Sequence, residues 1–262
     1  MKITLFTSNN VRHNYLVNLL SDISEELYVI QECRTIFPGL VPSFYQSSPI
    51  MKNYFEKVNN AQSKLFGSPY IKILNKNVKI LSIAPNDLRE CSMDFLNKFL
   101  KSDVYVIFGS SYIKGELVDF LIKKKAINIH AGVSPYYRGT DCNFWALYDN
   151  NPHLVGATIH LLSKGLDNGP ILYHAMSNIK SNPFDYTMST IKSSFNSIAE
   201  KIKDGSILKI KPIAQDKNKE IRYSRKNEFN DEVILNFFAK EINLNNNKFD
   251  KSLLIKPFFL DG

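Results

Sequence analysis

The run from Val104 to Phe108, apolar throughout and stopped by Gly109, Ser110 and Ser111, constrains the fold of this chain more than any other feature. A short, continuously apolar segment that meets a glycine reads as a strand buried on both faces. Such strands belong to parallel sheets covered by helices. The flanking sequence repeats the theme. Met1 to Ser8 predicts a first, central strand, followed by a turn at Asn9-Asn10 and a helix from Val11 to Leu20. Leu27 to Ile30 predicts a second strand. After the breaks at Pro38, Gly39 and Pro42, residues 43–65 predict a helix, and Val78 to Ile83 a third strand or an extended connection. Helical spacing recurs over Met93 to Leu100 and Glu116 to Lys124, and Ala126 to His130 predicts the next strand. Alternation of this kind argues an α/β fold, a doubly wound and mostly parallel sheet.

Further along, Thr140 or Asp141 can cap a helix running through Trp145 to Asp149, with Trp145 on its apolar, core-facing side. Strands are expected over 155–162 and 171–176, and a helix from Pro183 to Asp204. After Gly205 the character changes. Residues 207–212 read as an extended connection, residues 215–225 are polar and basic, and a short helix follows near Asp231 to Glu241. The expected organisation is a main domain over 1–205 and a small C-terminal extension over 206–262.

The length of 262 residues suits one large domain or a main domain with an appendage. A formal charge of +8 and a pI near 9.2 point to anionic partners. The lysines are scattered, however, and dense only at 123–125 and from Lys209 to Lys226. The charge therefore reads as a solvated surface with some attraction for phosphate, and no nucleic-acid partner is expected. Cys33, Cys91 and Cys142 are odd in number, far apart and without metal-ligand spacing, so no metal and a reduced, cytoplasmic setting are expected. No run is apolar and long enough to span a bilayer, so no membrane partner is expected. The phosphate-loop and dinucleotide glycine patterns are missing, which argues against nucleotide hydrolysis and NAD chemistry.

Two stretches carry the chemistry. The strand at Ala126 to His130 dissolves into a loop holding Gly132, Pro135 and Gly139. Side chains alternate along a strand, so Asn128 and His130 point the same way at its carboxyl end, where open α/β sheets gather ligands. Asp167 lies on a second loop, between Gly165 and Gly169-Pro170. An amide, an imidazole and a carboxylate on irregular backbone suit the transfer of an acyl group. A Ser-His-Asp hydrolase built from Ser134, His130 and Asp167 is a second possibility by residue type, but no Gly-x-Ser-x-Gly is present. A basic nucleic-acid-binding module is the non-enzyme alternative. His160, a lone strand histidine, reads as a structural residue. Arg12 and His13 fall at a helix start beside the first strand's carboxyl end, a position that favours phosphate.

The stretches 128–130, 135–139, 145–146, 156–160 and 165–171 together resemble, in order and spacing, the formyltransferases that use 10-formyltetrahydrofolate. That family includes the glycinamide ribonucleotide, methionyl-tRNA and amino-sugar N-formyltransferases. The clear resemblance spans Val104 to Tyr173. This chain has Ala131-Gly132 where the family commonly has Pro-Ser, and Ser134 where it has Leu. The resemblance implies a Rossmann-like core with Asn128, His130 and Asp167 as catalytic residues. It implies a folate site formed by Gly109, Ser110, Ser111, Tyr112 and Ile113 on one side, and by Lys164, Gly165 and Leu166 on the other. Arg12, His13, Tyr137 and Arg138 are the expected contacts to substrate. The short C-terminal part looks most like the sugar enzymes, which implies a UDP- or dTDP-linked amino-deoxysugar as acceptor, surface glycan synthesis as the setting, and a homodimer. Phe258 and Phe259 could bury themselves in its partner subunit. Transfer to glycinamide ribonucleotide or methionyl-tRNA, or hydrolysis of the formyl folate, remain alternatives within the family.

Overall fold

The structure is a computed structural model and describes residues 1–33, 47–67, 75–244 and 251–260. The breaks expected at Pro38, Gly39 and Pro42, and the first residues of the helix expected over 43–65, lie outside the described residues. In chain order the elements are β1 (Lys2–Ser8), α1 (Val11–Ser21), β2 (Glu26–Glu32), α2 (Pro49–Phe66), β3 (Val78–Ile83), α3 (Met93–Leu96) and β4 (Val104–Ile107). Then come α4 (Gly115–Lys123), β5 (Ile127–His130), β6 (Tyr137–Gly139), α5 (Cys142–Tyr148), β7 (Ala157–Leu161) and β8 (Ile171–Ser177). The remainder is α6 (Pro183–Lys203), β9 (Arg222–Ser224), α7 (Asp231–Ala239) and β10 (Phe258–Leu260).

The main sheet has the order β10-β8-β7-β5-β4-β1-β2-β3. β7 pairs antiparallel with β5 and β8, and the other pairs are parallel. Period-two alternation divides the core between the two faces. Ile3, Leu5, Leu27, Val29, Val104 and Val106 pack with Leu16, Val17 and Leu20 of α1 and with the apolar faces of α2 and α6. Phe6, Ile30, Tyr105 and Ile107 pack the other way, against Leu96, Leu117, Val118 and Leu121. The winding changes direction at β1, which is flanked by β2 and β4. The crevice between the carboxyl ends of β1 and β4 is where an open α/β sheet binds ligands.

Residues 206–244 and 251–260 lean on this core. Ser206 to Lys209 form a 3-10 turn rather than an extended connection. β9 pairs with β6 in a small second sheet, and β10 extends the main sheet beside β8, so Phe258 and Phe259 pack against the core of their own chain. Trp145 is buried, as its helical face predicts, under the Arg222 guanidinium at 4.3 Å. Asp141 occupies the N-cap position of α5 in a left-handed conformation (φ +55°), but its side chain makes no capping bond.

Candidate active site

A cavity of about 550 Å³ opens at the carboxyl ends of β1, β4 and β5. This volume is within the range of small-molecule sites. Its floor is built by an antiparallel register. In the β5–β7 pair Asn128 stands directly opposite His160, and His130 opposite Thr158. The loop between β7 and β8 then brings Asp167 back beneath β5. Asp167 is left-handed (φ +48°), a conformation that costs a non-glycine residue on the order of 1 kcal/mol and that needs support from its surroundings.

Around Asp167 the side chains converge. Its Oδ2 lies 3.3 Å from His130 Nδ1, and its Oδ1 accepts from Asn128 Nδ2 at 3.4 Å. His160 Nδ1 donates to the Leu161 carbonyl (2.8 Å), so its Nε2 carries the lone pair and accepts the other Asn128 hydrogen at 3.0 Å. His130 Nε2 faces the Tyr137 carbonyl at 3.2 Å and must donate there. The neutral imidazole therefore turns an unprotonated Nδ1 toward the carboxylate. Burial, the largest influence, holds the His130 pKa below the ordinary histidine value, although the charge of Asp167 pulls it back up. Burial pushes the Asp167 carboxyl up, but His130, His160 and Arg138 outweigh it, and its pKa ends below the ordinary carboxylate value. At neutral pH the site thus holds a carboxylate and a neutral imidazole, two proton acceptors facing one another.

Gly109 to Ile113 line one wall of the cavity, and Gly165 and Leu166 line the wall across from it. Apolar Ile107, Ile113 and Leu162 also line the cavity. Gly109 is left-handed (φ +66°), and a Cβ there would meet the His13 ring at 3.0 Å. Tyr112 Oη donates to the Lys164 carbonyl at 2.7 Å, which ties the two walls together. Arg12 and His13 also line the cavity, His13 buried edge-on against Phe108 with its Nδ1 toward Ser8 Oγ.

The structure corrects several sequence expectations. Tyr137 is core, 1% exposed, with its hydroxyl donating to Asp149 (3.3 Å) and accepting from Asn151 (2.8 Å). Arg138 is not a cavity wall. Its Nη1 pairs with Glu220 (2.8 Å) and its Nη2 donates to the Leu166 carbonyl (2.9 Å). The Lys164 ammonium turns away to Asp119 on α4, at 2.8 Å. Ser134, the nucleophile of the hydrolase alternative, is fully buried and does not line the cavity. Two contributors were passed over in the sequence. His160 sits on β7, where alternation gave its face but not its partner. Glu32, at the carboxyl end of β2, accepts from the backbone N–H of Asn86 (2.7 Å) and of Ser111 (2.5 Å) and so tethers the Gly109–Ile113 wall. A carboxylate ending an apolar strand was the available signal.

An amide, two imidazoles and a carboxylate thus gather in a crevice of an open α/β sheet, a set of groups suited to acyl transfer. Comparison with known proteins places the chain more narrowly. A sequence model of the formyl transferase family matches residues 53–203, more than half of the chain, which therefore belongs to that family. A methionyl-tRNA formyltransferase of Desulforamulus reducens is 29% identical over 104 residues, 40% of this chain and 32% of the relative. The match thus spans about a third of that relative's length. A sugar N-formyltransferase from a Shewanella species superimposes with a TM-score of 0.53 at 14% identity, covering 90% of this chain and 87% of the other. The N-formyltransferase of Helicobacter canadensis, solved with folinic acid and dTDP-3-aminofucose, gives 0.52 at 17% identity, covering 95% and 77%. At such identities the likeness is one of fold.

Proposed function

We propose that the chain is a folate-dependent N-formyltransferase that moves the formyl group of 10-formyltetrahydrofolate onto the amine of a nucleotide-linked amino-deoxysugar. The observation that carries this reading is the convergence of Asn128, His130 and Asp167, from two separate stretches of sequence, on one cavity walled by the Gly109–Ile113 and Gly165–Leu166 loops. Those loops would hold the folate, with no metal required. When bound, the folate supplies an electrophilic formyl carbon. Of the two Asn128 amide hydrogens, the one on His160 is well seated, and the one at 3.4 Å from Asp167 is free to move to the formyl oxygen as it gains negative charge. His130 Nδ1 and Asp167 Oδ2 form a ready receptor for the proton that the attacking amine gives up. The His130 Nε2–H, anchored on the Tyr137 carbonyl, keeps the ring from turning. Arg12 and His13, at the start of α1, are suited to the diphosphate of a nucleotide sugar.

Fold neighbours that include sugar N-formyltransferases support the sugar as acceptor. Sequence relatives named as methionyl-tRNA formyltransferases favour a second reading, transfer to methionyl-tRNA. The test is incubation with 10-formyltetrahydrofolate and a panel of UDP- and dTDP-linked amino sugars, beside methionyl-tRNA and glycinamide ribonucleotide. A mass gain of one formyl group on a sugar is the expected result. Gain on methionyl-tRNA alone would select the second reading, and formate release without any amine would indicate a folate hydrolase. The cytoplasmic setting, the role in surface glycan synthesis and a homodimeric state are part of the same proposal.

A further inference from the structure

We propose that Gln215 is a positioning residue for this site: its amide reaches in from the segment after α6 and holds the loop that carries Asp167, so that the carboxylate stays seated against His130. The inference rests on the formyl-transfer reading for the role it gives Asp167. Gln215 Nε2 donates to the Asp167 carbonyl and to the Gly169 carbonyl, both at 2.8 Å. Two acceptors fix the orientation of the amide, because turning it over would bring Oε1 against both of them. From the other side Arg138 Nη2 holds the Leu166 carbonyl at 2.9 Å. Arg138 is itself fixed by Glu220 (2.8 Å) and lies 5.5 Å from the Tyr223 ring centroid. The carbonyls of 166, 167 and 169 are therefore anchored by two side chains, one contributed and the other backed by the segment at 213–224. That segment is a firm support. Ile213 and Ile171 exchange backbone hydrogen bonds at 2.7 and 2.8 Å, and β9 pairs with β6.

The loop has reason to need such anchors. Asp167 is left-handed, and Gly169 passes so close to the Leu161 carbonyl that a side chain there would collide with it. A loop under such constraint relaxes when its anchors go. The carboxylate must nevertheless stay 3.3 Å from an imidazole on a different strand. A misplacement of ~1 Å can cost about 10²-fold in rate.

Gln215→Met keeps the length and bulk of the side chain and removes both donors. Gln215→Glu keeps its shape and turns acceptors toward the two carbonyls. Both variants are expected to lose about tenfold or more in kcat, with the KM for 10-formyltetrahydrofolate changed less than about twofold. Lys219→Ala, on the exposed surface nearby, serves as control. The second readout is the NMR titration of the His130 ring, which needs no turnover. The groups facing that ring are Asp167, His160 and Arg138, and Asp167 is the one that raises its pKa. A displaced carboxylate should therefore move the titration to lower pH. Wild-type kcat with an unmoved titration would overturn the proposal. So would a loss of activity that only tracks a loss of folded protein, again with the titration unmoved. If the wild type formylates no amine, the formyl-transfer reading fails on its own, and the titration still decides whether Gln215 seats Asp167.

Discussion

Asn128 has two amide hydrogens, and the site gives them unequal partners: His160 Nε2 at 3.0 Å and Asp167 Oδ1 at 3.4 Å. That inequality leaves one hydrogen available to a developing oxyanion. Loss of one such donor typically costs about 10²–10³ in rate. Asn128→Ala is expected to fall in that range in single-turnover assays while its circular dichroism stays that of the wild type. The imidazole beside it predicts a pH profile. Burial lowers the His130 pKa, so the neutral base persists below the pH at which an ordinary histidine becomes protonated. The acid limb of kcat/KM should therefore lie below about pH 6.5. Asp167→Asn removes the charge that raises the His130 pKa, so it should shift that limb to still lower pH as well as reduce the rate. An acid limb that stays in place in the variant would detach the carboxylate from the titration. At this scale the sequence was informative where chemistry and spacing coincide. Asn128 and His130 share a strand face by simple alternation, and glycines mark the loop of Asp167. Tyr137 was misread because its burial depends on β6 lying against β9, a pairing that only distant residues determine.

Among the elements, β7 decides how the amide is presented. Its antiparallel pairing with β5 puts His160 opposite Asn128, and the Leu161 carbonyl fixes the tautomer that accepts from the amide. Period-two reading of 155–162 already placed Thr158, His160 and Leu162 on one face. It could not give the partner strand, because the register is set by contacts between segments about thirty residues apart, roughly the reach of a hairpin with a long connection. The strands and helices themselves were legible for a local reason: a buried parallel strand must be apolar throughout, and an amphipathic helix must repeat near 3.6 residues. The pairing of β10 with β8 and of β9 with β6 has no such local signal. The predicted consequence of the β5–β7 register is specific. His160→Phe preserves a buried ring but offers the amide no acceptor, so kcat should fall about tenfold, the scale of a neutral hydrogen bond of ~1 kcal/mol or slightly more. Folate affinity, measured by fluorescence titration, should stay near that of the wild type. A fall of less than about twofold in kcat would leave His160 a packing residue only.

Across the molecule, His174 joins parts that are far apart in sequence. It is fully buried on β8. Its Nε2–H donates to the Ser134 carbonyl (2.9 Å), in the loop that follows β5, and its Nδ1 accepts from the Ile255 N–H (3.0 Å), just before β10. One neutral ring thus fastens both the active-site loop and the last strand to the centre of the sheet. Only the neutral tautomer makes both bonds, since the imidazolium has no acceptor for Ile255. Burial accordingly depresses the His174 pKa to about 4. The unfolded chain binds a proton at this residue below about pH 6.5, whereas the folded chain resists it down to about pH 4. Between those values the unfolded state holds more protons, so stability rises with pH. In the reverse direction the contribution is full above about pH 6.5 and declines as the pH falls toward 4, by about 3 kcal/mol in all. His130, whose pKa is also lowered, adds a loss of the same sign, so the comparison must be made against a variant. His174→Asn should be less stable than the wild type at pH 7, because at least one of the two long-range bonds is lost. It should also lose markedly less stability between pH 7 and pH 4.5, as the buried titrating group is gone. Urea unfolding followed by the fluorescence of Trp145 measures both differences. Parallel declines in the two proteins would show that acid acts on the fold elsewhere and that His174 is not its proton-sensitive fastening.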